Sequence, residues 1–322
     1  MRQIKRVSPS NPCPICGKPD WCTIGEKVAF CMRIPSPDPT GNGSYMHFLN
    51  GYRPAYSPPQ LSPRPLAPLD RLDQVYRYLL GCLGLYDGHL DNLLARGLSP
   101  EAIARNGYRS LLMDGRQEIV DKVVKAVGAP EGVPGFYLQG GVRWRLAGWS
   151  GMVIPVRDLN GLIQGCQIQL NEPGKIGKYA WLSSHKQGGW SPGAPAHVVR
   201  PAEVTDQSVW ITEGPLKADV AAEKLGAVMI GVAGAANWRS ALGPVWYLLC
   251  YENDQQVVIA FDQDEDPKKV KIIDNYRVKL AEQIREGGMK AYRARWDSGK
   301  GIDDAKAAGS KVEILSMEVD LI

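Results

Sequence analysis

The sequence predicts an α/β protein in which a parallel sheet flanked by helices follows a mixed α+β subdomain and a small cysteine-bearing N-terminal unit. From residue 206 onward, apolar runs alternate with helical segments, the pattern of a parallel sheet with helical crossovers. Residues 135–200 are rich in glycine, aromatic and β-branched residues, as strands joined by hairpins are. Four of the seven cysteines lie within residues 13–31, a density typical of a metal-binding unit.

Size and charge indicate several domains and a basic N-terminal module. The 322 residues suffice for two or three domains, and 44% hydrophobic with 22% charged residues is usual for a globular protein. Residues 1–69 hold eight Lys or Arg against three Asp or Glu, although the whole chain carries only +4. Such a segment suits contact with nucleic acid. No membrane-spanning run or signal-peptide core is present, so we expect a cytoplasmic protein with no membrane partner.

The N-terminal cysteines predict a zinc-binding ribbon over residues 1–50. Cys13-Pro-Ile-Cys16-Gly17 has the spacing of a metal knuckle, and a hairpin turning at Glu26-Lys27 would place Cys22 across from Cys31. Four thiolates leave no open position, so the zinc would be structural and would hold a small unit together. The alternatives are four reduced cysteines without metal, or His47 in place of Cys31.

Side chains beside this cluster have two interpretations. Trp21, Phe30 and Arg33 could contact bases and phosphates of a nucleic acid, or could pack around the metal. We take Trp21 and Arg33 as candidate nucleic-acid contacts. The three scattered cysteines lie in apolar surroundings and are expected to be buried thiols: Cys82, Cys166 and Cys250.

The middle of the chain divides into three predicted segments. Residues 51–69 are rich in proline and predict a semi-extended linker. Residues 70–134 form a helical segment, in which apolar residues at helical spacing extend to about 109 and Ser99-Pro100-Glu101 opens a second helix. Residues 135–205 form a β-rich segment, with strands at 152–156 and 162–170 joined by a hairpin turn that ends in Asn160-Gly161.

Residues 206–310 carry the parallel sheet, and residues 311–322 are taken as a C-terminal tail. The predicted strands are 208–212, 228–232, 256–262 and 290–295. The predicted helices lie near 215–225, 237–250 and 267–286.

Two of these strands end in carboxylates, which predicts a divalent-metal site at the edge of the sheet. Glu213 ends one strand, and Asp262 and Asp264, two residues apart, follow another. Carboxylates gathered there can hold Mg²⁺ or Mn²⁺, the cations used to handle phosphates. Gly214 and Pro215 suit a turn into a helix whose N-terminal amides favour a phosphate. Taken alone, an Asp-rich loop of this kind is more often a solvated turn.

In this order the acidic residues resemble the TOPRIM domain of primases and topoisomerases. The resemblance rests on Glu213-Gly214, Asp262-x-Asp264 and the later Lys300-Gly-Ile-Asp303-Asp304. It implies that Glu213, Asp262 and Asp264 bind divalent metal. The residues implied to support the site are Asp266, Asp303 and Asp304.

The resemblance extends upstream to bacterial and phage-type (DnaG-like) DNA primases, most closely to the phage and plasmid group. Gly151-Met-Val-Ile-Pro-Val-Arg-Asp-Leu-Asn-Gly161 and Lys178-Tyr-Ala-Trp-Leu-Ser-Ser184 are similar to two elements of the β-rich half of their polymerase domain. The order of zinc ribbon, tether, polymerase half and TOPRIM is also similar. Gln169 stands where these primases commonly carry Arg, which removes one expected phosphate contact, and Gly177 and Ser183 also depart from the pattern.

The resemblance implies primer synthesis from nucleoside triphosphates on single-stranded DNA. Lys178 and Lys217 would contact phosphates and Arg157 would contact nucleic acid, while the zinc unit would engage the template. A separate replicative helicase is a further expected partner.

Two rival interpretations remain: a TOPRIM nuclease, and a zinc-ribbon and TOPRIM protein that binds DNA without catalysis. The Gly-x-x-x-x-Gly-Lys-[Ser/Thr] motif of ATPase-linked nucleases and fused helicases is absent from the sequence. No segment is large enough for the tyrosine-bearing domain that a topoisomerase needs.

Overall fold

The computed structural model describes residues 5–26, 28–36, 44–49, 65–174, 177–251 and 256–317. The chain divides into two compact units, Met1–Ser62 and Pro63–Ile322. Most of the predicted linker 51–69 lies outside the described residues; at its end, the Ala67 N–H donates to the Gly132 carbonyl at 3.0 Å.

The first unit is a small antiparallel sheet built around the cysteines. Its strands lie in sequence order and are β1 (Lys5–Arg6), β2 (Thr23–Ile24), β3 (Val28–Cys31) and β4 (Tyr45–Phe48). Thr23 pairs with Phe30, so the register places Cys22 opposite Cys31, which confirms the predicted hairpin. Its core comprises Val7, Cys13, Cys22 and Cys31.

The second unit begins with helices that pack on an antiparallel sheet. The helices are α1 (Leu69–Gly81), α2 (Asp87–Ala95), α3 (Pro100–Asn106) and α4 (Arg116–Val127). The sheet has the order β10-β9-β8-β5, with β5 (Arg109–Leu111), β8 (Gly151–Arg157), β9 (Ile163–Gly174) and β10 (Gly177–Trp181); β6 (Phe136–Gln139) and β7 (Arg143–Leu146) form a separate hairpin. Strand β5 was not predicted, because its three residues directly follow a segment in which apolar residues repeat at helical spacing.

Local chemistry sets these boundaries. The Ser99 hydroxyl accepts from the Ala102 N–H at 3.2 Å, Pro100 occupies the first turn of α3, and Gly107 ends the helix at φ +72°. In the turn between β8 and β9, Asp158 Oδ1 accepts from the N–H groups of Asn160 and Leu162. The predicted hairpin is therefore confirmed.

A six-stranded sheet forms the C-terminal half in the order β11-β13-β12-β14-β15-β16. Its strands are β11 (His197–Val199), β12 (Asp206–Glu213), β13 (Ala227–Val232), β14 (Gln256–Ala260), β15 (Lys290–Trp296) and β16 (Val312–Ser316). The four central strands are mutually parallel, as predicted, but β11 and β16 pair antiparallel at the edges. The sheet is therefore mixed, and the segment interpreted as a tail contributes an edge strand.

Helices cover both faces of this sheet. Each face of the sheet has its own hydrophobic core. The helices α5 (Pro215–Leu225) and α8 (Ile302–Ala307) pack into one core, and α6 (Leu242–Tyr251) and α7 (Pro267–Glu286) pack into the other. The segment predicted as one helix over 237–250 is a 3₁₀ segment, Ala235–Ala241, followed by α6. Asn237 has non-helical backbone angles inside that 3₁₀ segment.

A further core joins the two halves of the second unit. It packs α2, α3 and β8 against α5 through buried side chains that include Leu93, Ile103, Met152, Ile154, Leu216 and Val220. Side chains from the antiparallel half are therefore held against the C-terminal edge of the parallel strands. Within the described residues, no helix is long and apolar enough to cross a membrane.

Candidate functional site

Glu213 and Asp262 lie together at the carboxyl ends of neighbouring parallel strands. Thr212 of β12 pairs with Ala260 of β14, so both chains leave the sheet at the same edge. Glu213 Oε1 accepts from the Asp262 N–H at 3.1 Å, and its Oε2 accepts from the Ala235 N–H at 3.2 Å. Burial raises the pKa of Glu213, and the nearby Asp262 charge raises it further. Ionisation of both Glu213 and Asp262 is therefore unfavourable unless a cation lies beside them.

Lys217 provides one such cation. It lies in the first turn of α5, after Gly214 turns the chain at φ +87°, and its Nζ forms an ion pair with Asp262 Oδ1. A side chain on Gly301 would meet Asp303 Oδ1 at 2.4 Å and Lys217 Nζ at 2.9 Å. Because Gly301 has no side chain, Lys217 and Asp303 have space to approach each other here.

Asp264 is directed to other partners. Its Oδ1 accepts from the Asp266 N–H at 3.0 Å, and its Oδ2 lies 3.3 Å from Lys300 Nζ and 3.6 Å from Lys269 Nζ. The Asp266 N–H is the main cause that lowers the pKa of Asp264. In the described part of the chain, the four N-terminal cysteines are the only group of three or more Cys, His, Asp or Glu whose ligand atoms all lie within 4.8 Å. Glu213, Asp262 and Asp264 are thus neighbours along one edge, without a closed cage.

The three supporting carboxylates have different surroundings. Asp303 is 2% exposed, its Oδ2 lies 3.3 Å from Arg96 Nη1, and its Oδ1 has no hydrogen-bond partner among the described residues. Burial raises the pKa of Asp303, while the Lys217 charge opposes that rise. Asp304 Oδ2 lies 3.5 Å from the Gly301 N–H at the start of α8. Asp266 caps α7, since its Oδ1 accepts from the Lys268 N–H at 2.9 Å.

Two further cations belong to this neighbourhood. Lys178 on β10 has a lowered pKa, chiefly through burial and then through the charges of Arg96 and Lys217. Its Nζ lies 5.7 Å from the centre of the Tyr179 ring. Sequence reasoning missed Arg96, because nothing local to the end of α2 indicates that it meets a carboxylate 207 positions later.

Arg157 has a separate set of contacts. Its Nη2 donates to the Asn106 carbonyl at 2.7 Å, and its backbone N–H donates to His197 Nδ1 at 2.9 Å. His197 Nε2 therefore carries the proton and donates to Asp219 Oδ1 at 3.0 Å, while Tyr108 donates to Asp219 Oδ2 at 2.6 Å. These buried polar residues escaped sequence reasoning because they lie in unrelated segments.

Gln169 lies next to the basic side of the site. It pairs with Met152 of β8 and with Tyr179 of β10, beside Lys178. Its Oε1 is buried and accepts no hydrogen bond from the described residues. The position is therefore polar and enclosed.

The four cysteines of the first unit form a geometry that fits zinc. Their Sγ atoms lie within 4.8 Å of one another, and Cys16 and Cys22 are 3.8 Å apart. Tetrahedral zinc with bonds of about 2.3 Å requires sulfur atoms about 3.8 Å apart. The Arg33 and Ile34 N–H groups donate to Cys31 Sγ at 3.4 and 3.3 Å. The cluster can therefore hold one tetrahedral zinc ion.

The protonation of these thiols depends on their surroundings. The Lys18 N–H lowers the pKa of Cys16 to about 6, whereas burial raises the pKa of Cys22 to about 12. Zinc binds thiolates, so metal binding would release the Cys22 proton.

The neighbours of the cluster have different surroundings. Arg33 Nη1 lies 3.9 and 3.8 Å from the sulfurs of Cys16 and Cys22, and its Nη2 lies 2.6 Å from Asp20 Oδ1, so Arg33 packs against the sulfurs of the cluster. Trp21 is 78% exposed, and the Arg33 guanidinium lies 5.2 Å from its ring centre. Phe30 is half-buried. His47 Nε2 lies 2.9 Å from the Ile34 carbonyl, which leaves Cys31 as the fourth member of the cluster.

Comparison with protein families matches one segment in the C-terminal half of the chain. Residues 202–312 match a family model described as "Domain of unknown function (DUF3854)". This range contains β12 to β15, the first residue of β16 and the acidic residues of the candidate site. Comparison with curated proteins gives no match.

Comparison with solved structures finds primases. The chain resembles the Aquifex aeolicus primase (zinc-binding and RNA polymerase domains) at 14% identity and a TM-score of 0.53, covering 77% of this chain and 63% of that one. A Pseudomonas aeruginosa DNA primase domain matches at 13% identity and a TM-score of 0.51, covering 76% of each chain. The RNA polymerase domain of the Mycobacterium tuberculosis primase, in complex with a double-stranded DNA oligomer with a 6-nucleotide overhang, matches at 13% identity and 0.51, covering 76% of this chain and 79% of that one. The chain spans less than two-thirds of the length of the Aquifex structure. The protein has a primase-like fold.

Proposed function

We propose that this protein is a DNA primase that synthesises short primers on single-stranded DNA by metal-dependent nucleotidyl transfer, in the replication of a phage, plasmid or other mobile element. The observation that carries the proposal is the edge of the parallel sheet, where Glu213 and Asp262 adjoin a set of cations within a primase-like fold. Similarity in fold is the supporting context, since one fold can serve many functions.

The carboxylates fit a hard divalent cation. Their ligand atoms are all oxygens, and Asp262 and Asp264 each already attract ammonium groups, Lys217 on one side and Lys269 and Lys300 on the other. We assign Glu213, Asp262 and Asp264 to Mg²⁺ or Mn²⁺, with Asp303 and Asp304 in support. The bound metal supplies charge neutralisation at the phosphates and activation of the attacking 3′-hydroxyl. Lys217 and Lys300 are positioned to exchange a carboxylate for a phosphate oxygen.

The basic residues of the site are assigned to nucleoside triphosphates. The charges of Lys217 and Arg96 lower the pKa of Lys178, while the nearby carboxylates of Asp303 and Asp304 act in the opposite direction. These cations can move from their carboxylate partners to the oxygens of a triphosphate, and fixed donors stabilise charge that develops on transfer. Lys178 and Lys217 are the proposed phosphate contacts, and Arg96 positions Asp303.

The zinc-binding unit is assigned to the template. Its exposed Trp21 offers a face on which a base can stack, and Arg33 adds positive charge beside it. Binding of single-stranded DNA should weaken as salt rises, because phosphate contacts dominate affinity. A separate replicative helicase is the proposed partner that exposes the strand.

The proposal is tested by primer synthesis. Labelled nucleotides and single-stranded DNA of mixed sequence are incubated with Mg²⁺ or Mn²⁺ and with the native chain, Asp262→Ala or Asp264→Ala. We expect short products from the native chain and a loss of at least about 100-fold in both variants, since each removes a metal ligand. Glu265→Ala is the matched control, because Glu265 is an exposed acid in the same loop.

Two other outcomes would replace the proposal. If the template is cut, and both aspartate variants stop the cutting, the protein is a TOPRIM nuclease. If neither product appears with either metal while DNA is still bound, the chain is a replication protein that binds DNA without catalysis.

A further inference from the structure

A cavity beside the acidic residues is lined by three arginines. It has a volume of about 170 Å³, and it lies between the loop after β14, the first half of α7 and the end of β15. Arg277 comes from α7, and Arg293 and Arg295 come from β15. Asp262 and Asp264 form one wall of the same cavity.

This cavity lies on the opposite face of the sheet from Lys217. Side chains alternate along β15: Ala294 packs with α5 and α8, and Ala291, on the same face as Arg293 and Arg295, packs with α7. Lys217 belongs to α5, on the other face. The arginines are therefore separate from the cations assigned to the triphosphate.

Arg277 is a buried guanidinium with unused hydrogen-bonding capacity. It is 7% exposed, and its Nη1 donates to Asp274 Oδ1. Its Nε is buried and has no hydrogen-bond partner among the described residues. Leaving a buried charged donor unsatisfied is costly, so such groups usually serve a ligand or a water.

Arg293 and Arg295 have no carboxylate of their own in the described part of the chain. Neither forms an ion pair or a side-chain hydrogen bond there, whereas the cavity's carboxylates are engaged: Asp274 with Arg277, Asp262 with Lys217, and Asp264 with Lys269 and Lys300. Burial lowers the pKa of Arg277, and the charge of Arg293 acts in the same direction. Two of the three guanidinium groups of the cavity, those of Arg293 and Arg295, therefore have no ion-pair partner among the described residues.

We propose that this arginine cavity, formed by Arg277, Arg293 and Arg295, is a binding site for a phosphate oxyanion. Guanidinium groups match phosphate oxygens with two parallel hydrogen bonds, which a single ammonium cannot do. A pocket that encloses a drug-sized ligand usually has a volume of about 300 Å³ or more. This cavity is smaller, so the site takes a phosphate or diphosphate group rather than a whole nucleotide. Its source is either a free anion such as pyrophosphate or a phosphodiester of bound DNA.

The test measures binding without catalysis. Inorganic pyrophosphate is titrated into the full chain by calorimetry at low ionic strength without added divalent metal, and anisotropy measures binding of a labelled single-stranded DNA. The variants are Arg293→Ala with Arg295→Ala, and Arg277→Lys, which keeps the charge but removes the fork. Lys290→Ala is the matched control, an exposed cation on the same strand outside the cavity.

We expect pyrophosphate to bind at least tenfold more weakly to the double variant and to Arg277→Lys, and unchanged within about twofold in the control. If DNA affinity falls instead of pyrophosphate affinity, the site takes a phosphodiester. Native affinity of both variants for both ligands overturns the proposal, and thermal melting shows that each variant is folded. The result is independent of primer synthesis, because an inactive chain with an intact cavity still binds the anion.

Discussion

Asp303 is a buried carboxylate whose stability as an anion depends on cations from distant segments. Its side chain is 2% exposed, and Arg96, itself 20% exposed, is its ion-pair partner. Burial raises the pKa of Asp303, while Lys217 and Arg96 oppose the rise. Removing one partner of a buried pair leaves an uncompensated charge, which costs more than the pair itself contributes.

We therefore expect Arg96→Ala to lower the free energy of unfolding by about 3 kcal/mol at pH 8. The loss should shrink toward pH 5, because removal of the arginine raises the pKa of Asp303 further and a protonated carboxyl needs no cation. Urea unfolding at both pH values checks this. Arg105→Ala is the control, since its ion pair with Glu223 is more exposed and should contribute less than about 1 kcal/mol. A loss independent of pH would contradict the account.

Glu213 should couple metal binding to pH. The fold raises the pKa of Glu213, so protonation of this carboxyl stabilises the folded state. That stabilisation is fully present below the usual pKa of about 4.3 and is lost as the pH rises through the raised pKa. A divalent cation competes with that proton and relieves the charge. Metal at about 100 times its Kd stabilises a folded protein by about 2.7 kcal/mol.

The expected outcome is a rise in Tm with Mn²⁺ that grows as the pH is raised from the usual pKa of a glutamate, about 4.3, through the raised pKa of Glu213. The shift should disappear in Asp262→Ala. Differential scanning fluorimetry at fixed Mn²⁺ over a series of pH values measures both. A shift that stays the same over the whole series would contradict the coupling.

At the level of elements, Asp266 has a structural role at the start of helix α7. Its side chain caps the helix, and Pro267 follows in the first turn. We expect Asp266→Ala to cost about 1 kcal/mol of stability and Asp266→Asn much less, because asparagine also caps. Isothermal titration with Mn²⁺ should show native affinity for both variants. Weaker metal binding in Asp266→Asn would restore Asp266 to the metal site.

The first unit should depend on a bound metal for its structure. Three of its cysteines are 1% exposed or less and form most of a very small core, so a metal held by them would replace the apolar contacts that a unit of this size lacks. We expect Cys31→Ser to lose zinc and to unfold the first unit.

Colorimetric zinc analysis and the amide resonances of residues 5–48 measure this effect. Cys82→Ser is the control, a half-buried cysteine outside the cluster that should retain one zinc per chain. Native amide resonances in zinc-free Cys31→Ser would show that the unit folds without metal.

At the scale of the whole second unit, the core shared by α2, α3, β8 and α5 should make the two sheets unfold together. Leu93 is fully buried in this core, while its neighbour Leu94 is 41% exposed. We expect Leu93→Ala to cost about 3 kcal/mol and Leu94→Ala less than about 0.5 kcal/mol. Urea transitions followed by tryptophan fluorescence and by circular dichroism should coincide in both variants. Separate transitions in Leu93→Ala would show that the sheets are independent.

Much of the fold was predictable from local pattern. The four central parallel strands, the hairpin at Asn160-Gly161 and the pairing of Cys22 with Cys31 follow from apolar runs, turn residues and spacing. The edge strands β5 and β16 were missed because short strands carry too little periodicity to stand out. The 3₁₀ segment before α6 was missed because the non-helical backbone at Asn237, within that segment, leaves the apolar pattern unchanged.

The candidate site divides in the same way. The pattern of strands ending in acid placed Glu213 and Asp262 at one edge of the sheet, because parallel strands share their carboxyl end. The partners of those acids follow from packing: Lys217 reaches Asp262 across 45 positions, and Arg96 reaches Asp303 across 207. Ion pairs of this kind depend on which helices pack together in a common core. The spacing of residues along the chain does not predict that packing.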